Sequence, residues 1–185
     1  MSDISRFVGG IDQTFTRSWL VAISTLSVVS AQAGAQATFM GLGNLPNWSS
    51  SFANAVSADG SVVVGESGND PFRWTSGTGM QGLGSLPNSQ YTGAYGADGD
   101  GSIVVGISYS GAPNGNQAFR WTSGGGMQAP GDLPGGSFDS YAYGISLDGT
   151  SIVGQSESAL GDEAFRWTNG GGMQGLGDLP GGSFN

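Results

Sequence analysis

Three Phe-Arg-Trp triplets are the residues of this 185-residue sequence best placed to do chemistry: Phe72-Arg73-Trp74, Phe119-Arg120-Trp121 and Phe165-Arg166-Trp167. Bulky rings at regular spacing can stack on the faces of sugars, so Trp74, Trp121 and Trp167 are candidates for lining a carbohydrate-binding groove. Modules of short strands also need such rings to build a core. On a strand, Phe72 and Trp74 share one face and Arg73 takes the other. The plainer expectation is therefore structural. Each arginine pairs with a repeated acid, of which Asp59, Asp100 and Asp148 form one series, or stacks on an aromatic ring of the neighbouring module.

Few other residues can carry a reaction. The chain has no histidine and no cysteine, and its five basic residues are all arginines. That excludes nucleophile triads, thiolate chemistry and most metal sites. A carboxylate pair could still hydrolyse a glycoside, but most acids sit at repeated turn positions, whereas catalytic pairs are singular. Asp162 and Glu163 are non-repeated, adjacent and expected to be solvated. "DGDGS" (Asp98 to Ser102) resembles a calcium loop only in Asp98 and Asp100 and is expected to be a turn with one inserted residue. "GGSFDS" and "SADG" lack the tryptophan of an aspartate box. Glycine-rich stretches without lysine do not make a phosphate loop, and Asn47-Trp48-Ser49 fits a glycosylation acceptor. No catalytic residue, metal ligand or cofactor is expected.

A net charge of −9 repels nucleic acid and anionic membrane surfaces. The N-terminal 37 residues read differently from the rest. Arg6 and Arg17 precede the uncharged run Ser18–Ser30, and "AQAGAQA" (Ala31 to Ala37) follows with small residues. This is the three-part order of a cleaved secretory signal, expected to be helical, and the apolar run is short for a membrane span. Asp3 and Asp12 depart from the simplest pattern. Cleavage after Ala37 would leave three arginines and twelve carboxylates, with no membrane insertion of the mature chain.

The mature chain begins where an internal repeat begins. "LGNLP" (Leu42 to Pro46) recurs from Leu83, Pro130 and Leu176, at offsets of 41, 47 and 46 residues. "ADGSVVVG" (Ala58 to Gly65) recurs from Gly99 and Leu147. In the third copy, Ser140–Ser146 alternates Tyr141, Tyr143 and Ile145 on one face, the pattern of a strand. Asp148-Gly149 reads as a primed hairpin turn, and Ser151–Ser156 is a second strand. An acidic loop, Glu157–Glu163, leads to a third strand at Ala164–Thr168, and Met173–Leu179 is a fourth, stopped by Pro180. The loop between second and third strands varies most in length, which marks an exposed face.

Four strands in about 46 residues are the unit of a β-propeller blade. The expected fold is all-β: antiparallel four-stranded units in a partial β-propeller, following the signal at 1–37. The units are 38–80, 81–127 and 128–173, with a remnant at 174–185. Three blades do not close a ring, so the chain is expected to be a fragment of a longer protein, or else to keep an open edge that invites pairing.

The pieces "AFRWT.GGGMQGLGDLPGG" and ".S.DG..VVG" resemble the bacterial extracellular repeat family called HAF, after a His-Ala-Phe triplet. The resemblance covers Thr38 to Asn185. The sequence departs at the naming histidine, with Asp70-Pro71, Gln117-Ala118 and Glu163-Ala164 in its place. The resemblance implies export, propeller-like repeats, and membership of surface proteins or autotransporter passengers; it supplies no catalytic residues. The expected function is a secreted or cell-surface bacterial module with a structural, adhesive or interaction role and no catalysis. Its partners would be other repeats of the same or a longer chain, and surface glycans or proteins. A carbohydrate-binding propeller segment is the alternative, and a carboxylate-based glycoside hydrolase a more distant one.

Overall fold

The computed structural model describes residues 38–111 and 115–180. The expected signal segment with its helix, and residues 181–185 of the remnant, lie outside the described residues. From Gly41 onward the chain forms one compact unit.

Twelve strands and no helix occur among the described residues. They run β1 (Ser51–Val56), β2 (Val62–Ser67), β3 (Asp70–Thr75) and β4 (Gly79–Gly82), then β5 (Tyr91–Ala97), β6 (Ile103–Tyr109), β7 (Asn116–Thr122) and β8 (Gly126–Gln128). The last four are β9 (Gly135–Ile145), β10 (Ser151–Ser158), β11 (Gly161–Thr168) and β12 (Gly172–Gly175). Each set of four is an antiparallel meander. The second and third meanders are joined at one parallel bridge, Asn116 to Asp139.

The turns follow from local hydrogen bonding. Between β1 and β2 the Ser57 amide donates to the Val62 carbonyl, and Gly60 to Ser57, with Gly60 at a φ of 73°. Gly101 and Gly149 adopt the same left-handed conformation. The primed hairpin expected at Asp148-Gly149 needs positive φ at both central residues. Only the glycine has it, because the aspartate carboxylate instead turns back to accept the amide two residues on: Ser61, Ser102 and Thr150 donate to Asp59, Asp100 and Asp148. "DGDGS" contains no inserted residue. Asp98 stands where the other turns have Ser57 and Ser146, and accepts the Ile103 amide as those hydroxyls accept Val62 and Ser151.

Several strand limits differ from the sequence expectation. The third meander's first strand extends back to Gly135, and only Ala159 and Leu160 separate β10 from β11, so most of the expected acidic loop is paired strand. The fourth strand stops at Gly175 rather than Leu179. Leu176 still donates to the Ala164 carbonyl, and then Gly177, at a φ of 73°, turns the chain away.

A bulge breaks the expected alternation. Ala142 pairs with Gly154 and Gly144 with Val153, leaving Tyr143 as an extra residue. Asn54 and Tyr95 are extra residues at the same place in β1 and β5. Bulges re-aim side chains, and these aim at the next sheet. Asn54 donates to the Ala94 carbonyl at 3.1 Å, and the Tyr95 ring meets Tyr143 with centroids 6.5 Å apart. Opposite the bulge only glycine fits: a Cβ on Gly65, Gly106 or Gly154 would collide with the carbonyl of Phe52, Gly93 or Tyr141.

The core lies between consecutive meanders. Val62 and Val64 of the first, with Leu83 and Leu86, enclose Ala94, Val104 and Phe119 of the second. Val105 and Ala118 of the second, with Leu133, enclose Ala142, Ile152 and Phe165 of the third. Each sheet thus has a leading face (Phe119, Trp121 and Val104 in the second) against its predecessor, and a trailing face (Val105, Ala118) against its successor.

Phe119→Ala should cost about 3–5 kcal/mol in denaturant unfolding, as expected for a fully buried ring. Gly106→Ala should cost about 1–3 kcal/mol, because the added methyl meets backbone on one side and the Phe119 ring on the other.

Candidate functional site

A cleft of about 440 Å³ lies between the first and second meanders. Arg73, Gln81 and Leu83 line it from one side, and Gly101, Ser102 and Trp121 from the other. The β2–β3 pairing sets Arg73 opposite Val64 on the trailing face of the first sheet, and the β6–β7 pairing sets Trp121 opposite Val104 on the leading face of the second. A guanidinium, an amide, a hydroxyl and half of an indole face one opening. That set can hold a polar, ring-shaped ligand, or a carboxylate, by hydrogen bonds and stacking. Among the described residues no cluster of three or more acids could hold a metal.

The repeated arginines do not pair with the repeated acids. Arg73 Nε donates to the Gly101 carbonyl at 2.8 Å, reaching the Asp-Gly turn of the next sheet. Arg120 Nε is buried without a partner, and Arg166 bends back to Ser151 of its own sheet at 2.9 Å. The acids are taken up by their own turns. The Ser57 hydroxyl is the main group holding Asp59 below the ordinary carboxylate value, and the Ser102 hydroxyl does the same for Asp100. The Ser146 hydroxyl, then Thr150, holds Asp148 down to about 2.

The three tryptophans are not brought to one groove. Trp121 packs against the first core cluster and Trp167 against the second, each between a different pair of sheets. Trp74 is half-buried on the first sheet. Phe72, Phe119 and Phe165 are completely buried. Asp162 is exposed, and Glu163 accepts the Gly177 amide at 2.7 Å. Trp48 donates its indole N–H to Asp70 at 2.8 Å.

Sequence reasoning does not find one polar cluster. Asn116 donates to Asp139 at 2.8 Å and to the Tyr141 hydroxyl at 2.7 Å, tying β7 to β9 at the parallel bridge. Asp132 lies near Ser140 and Asp139 with one carboxylate oxygen buried and unpartnered, and burial pushes its carboxyl up. Burial, then the Asp139 charge, pushes the Tyr141 phenol up. None of these residues is repeated among the three units, so no pattern in the chain points to them.

No family model matches the sequence, and no curated protein matches it. Solved structures do resemble it. TolB from Acinetobacter baumannii aligns with a TM-score of 0.53 and 18% identity, over 74% of this chain and 34% of that one. A putative TolB from Agrobacterium tumefaciens aligns with a TM-score of 0.53 and 13% identity, over 74% of this chain and 50% of that one. The likeness is one of fold, all-β and β-propeller-like. The aligned part makes up between a third and a half of the length of those structures.

The turn carboxylates make a pH prediction. Their folded values lie below the unfolded 3.8, so they stabilise the fold fully above that pH and lose the effect as pH falls toward 2. Asp148→Asn should therefore lower Tm at pH 6 and flatten its decline between pH 4 and 2. Asp132 has the opposite sign: its raised value makes ionisation costly above 3.8. Asp132→Asn should raise Tm at pH 7 and leave it nearly unchanged at pH 3, in calorimetry across that range.

Proposed function

We propose that the chain is a secreted or cell-surface module, a partial propeller of three blades, that works by interaction rather than by catalysis. One observation carries the reading. The residues whose types could do chemistry are engaged in joining sheets and closing turns: Phe119 and Phe165 in the inter-sheet cores, Arg73 on the Gly101 carbonyl, and Asp59, Asp100 and Asp148 in their own hairpins. The resemblance to TolB structures supports a propeller-type scaffold. The character of the N-terminal 37 residues, and the resemblance to exported HAF-type repeats, support an extracellular address.

Carbohydrate binding is the second reading, favoured by the cleft in which Arg73, Gln81 and Ser102 face Trp121. Of the three triplet tryptophans, Trp121 is the one that lines it.

Sequencing the N-terminus of protein recovered from outside the cell should return Thr38-Phe39-Met40. Retention in the cytoplasm with Met1 intact would end the surface reading. On a glycan array, the interaction reading expects no sugar signal. The carbohydrate reading expects a signal that Trp121→Ala abolishes and Trp74→Ala leaves in place. Release of sugars from a polysaccharide panel would contradict both.

A further inference from the structure

The third sheet ends in a trailing face that nothing covers among the described residues, although the same positions in the first two sheets are sealed. Val64 and Val105 are completely buried and Val153 is 45% exposed. Pro71 and Ala118 are buried and Ala164 is exposed. Leu83 is buried, and Leu176 is 62% exposed. The first sheet is bare on the opposite side. Val104 and Ile152 are completely buried and Val63 is not. Ala97 and Ile145 pack into the two cores, and Val56 is 57% exposed. The turn glycines agree: a Cβ on Gly101 would strike Val62, and one on Gly149 would strike Ile103, whereas around Gly60 there is open space.

We propose that a second copy of this chain docks head to tail, its first sheet covering the third sheet of its partner. Two observations choose this occupant. Both bare faces carry the residues that already bind each other twice within one chain, so the contact continues an existing interface. The polar fastenings are also half-present on each side. Arg73 donates to the Gly101 carbonyl, while Arg166 is exposed and the equivalent Gly60 carbonyl is the one that a second copy would bring to it. Asn54, Tyr95 and Tyr143 are the bulge residues; the first two reach the next sheet, and Tyr143 stands half-exposed at the tail. Leu45, packed beneath Gly82, keeps the first sheet's own Phe72 covered, so a second copy can dock without unmasking it. Contacts of this heterologous kind either close or propagate. Two copies of three sheets make six, within the roughly four to eight that propeller rings use.

The experiment is light scattering after gel filtration of the purified full chain, over a concentration range of roughly two decades in the micromolar regime, where weak dimers dissociate and re-form. A dimer, or concentration-dependent larger species if the rotation does not close, is expected; a monomer throughout overturns the proposal, whatever else then covers the face. The tail variant Val153→Asp/Leu176→Asp and the head variant Val56→Asp/Val63→Asp should each be monomeric, with near-ultraviolet circular dichroism as in the parent. Mixing them leaves one native head facing one native tail and should restore a dimer; no recovery overturns the head-to-tail arrangement. Arg166→Ala should weaken the parent dimer about tenfold, the effect of one lost charge-assisted hydrogen bond, while a dimer that survives the tail variant also overturns it.

Discussion

A phenylalanine sealed between two sheets is the interaction on which the rest depends. No sheet here is wide enough to make a core of its own, because its strands are three to eleven residues long and many positions are glycine, alanine or serine. Phe119 and Phe165 supply the volume, and Val64 and Val105 of the preceding sheets close over them. Each ring would be exposed if the sheet in front of it were removed. Stability in such a chain is therefore a sum of neighbour contacts rather than the property of one central core.

Close approach of the sheets sets the backbone. The bulge at Asn54, Tyr95 and Tyr143 bends each first strand, and from the first two it sends a side chain across to the next sheet. It also drives a carbonyl against the second strand, where only Gly65, Gly106 and Gly154 leave room. Serine completes the arrangement: Ser67 and Ser156 are buried and accept the amides of Leu45 and Leu133, which brings the connecting leucines onto the sheets. The abundance of glycine and serine reflects this tight spacing as well as the turns.

The repeated strands are legible in the sequence because alternation and Asp-Gly turns are local signals. Phe-Arg-Trp lies on a strand in all three units, as its pattern predicts. The partner of Arg73 is not legible, since a backbone carbonyl is available at every residue and leaves no mark in the sequence. The bulge escapes notice because Tyr141-Ala142-Tyr143 reads as unbroken alternation; the glycine that betrays it lies on the next strand. The cleft at Arg73 and Trp121 joins residues from two different repeats, and a reading made one repeat at a time does not assemble it.

Packing between neighbouring sheets is tested most directly by a double-mutant cycle between Val64 and Phe119, which share one inter-sheet cluster, set against a cycle between Val64 and Phe165, which do not. Equilibrium unfolding of the alanine variants should give a coupling of about 0.5–3 kcal/mol for the first pair and simple additivity for the second. Additivity in both, with Phe119 indifferent to the sheet in front of it, would contradict the claim that contacts from sheet to sheet hold the molecule together.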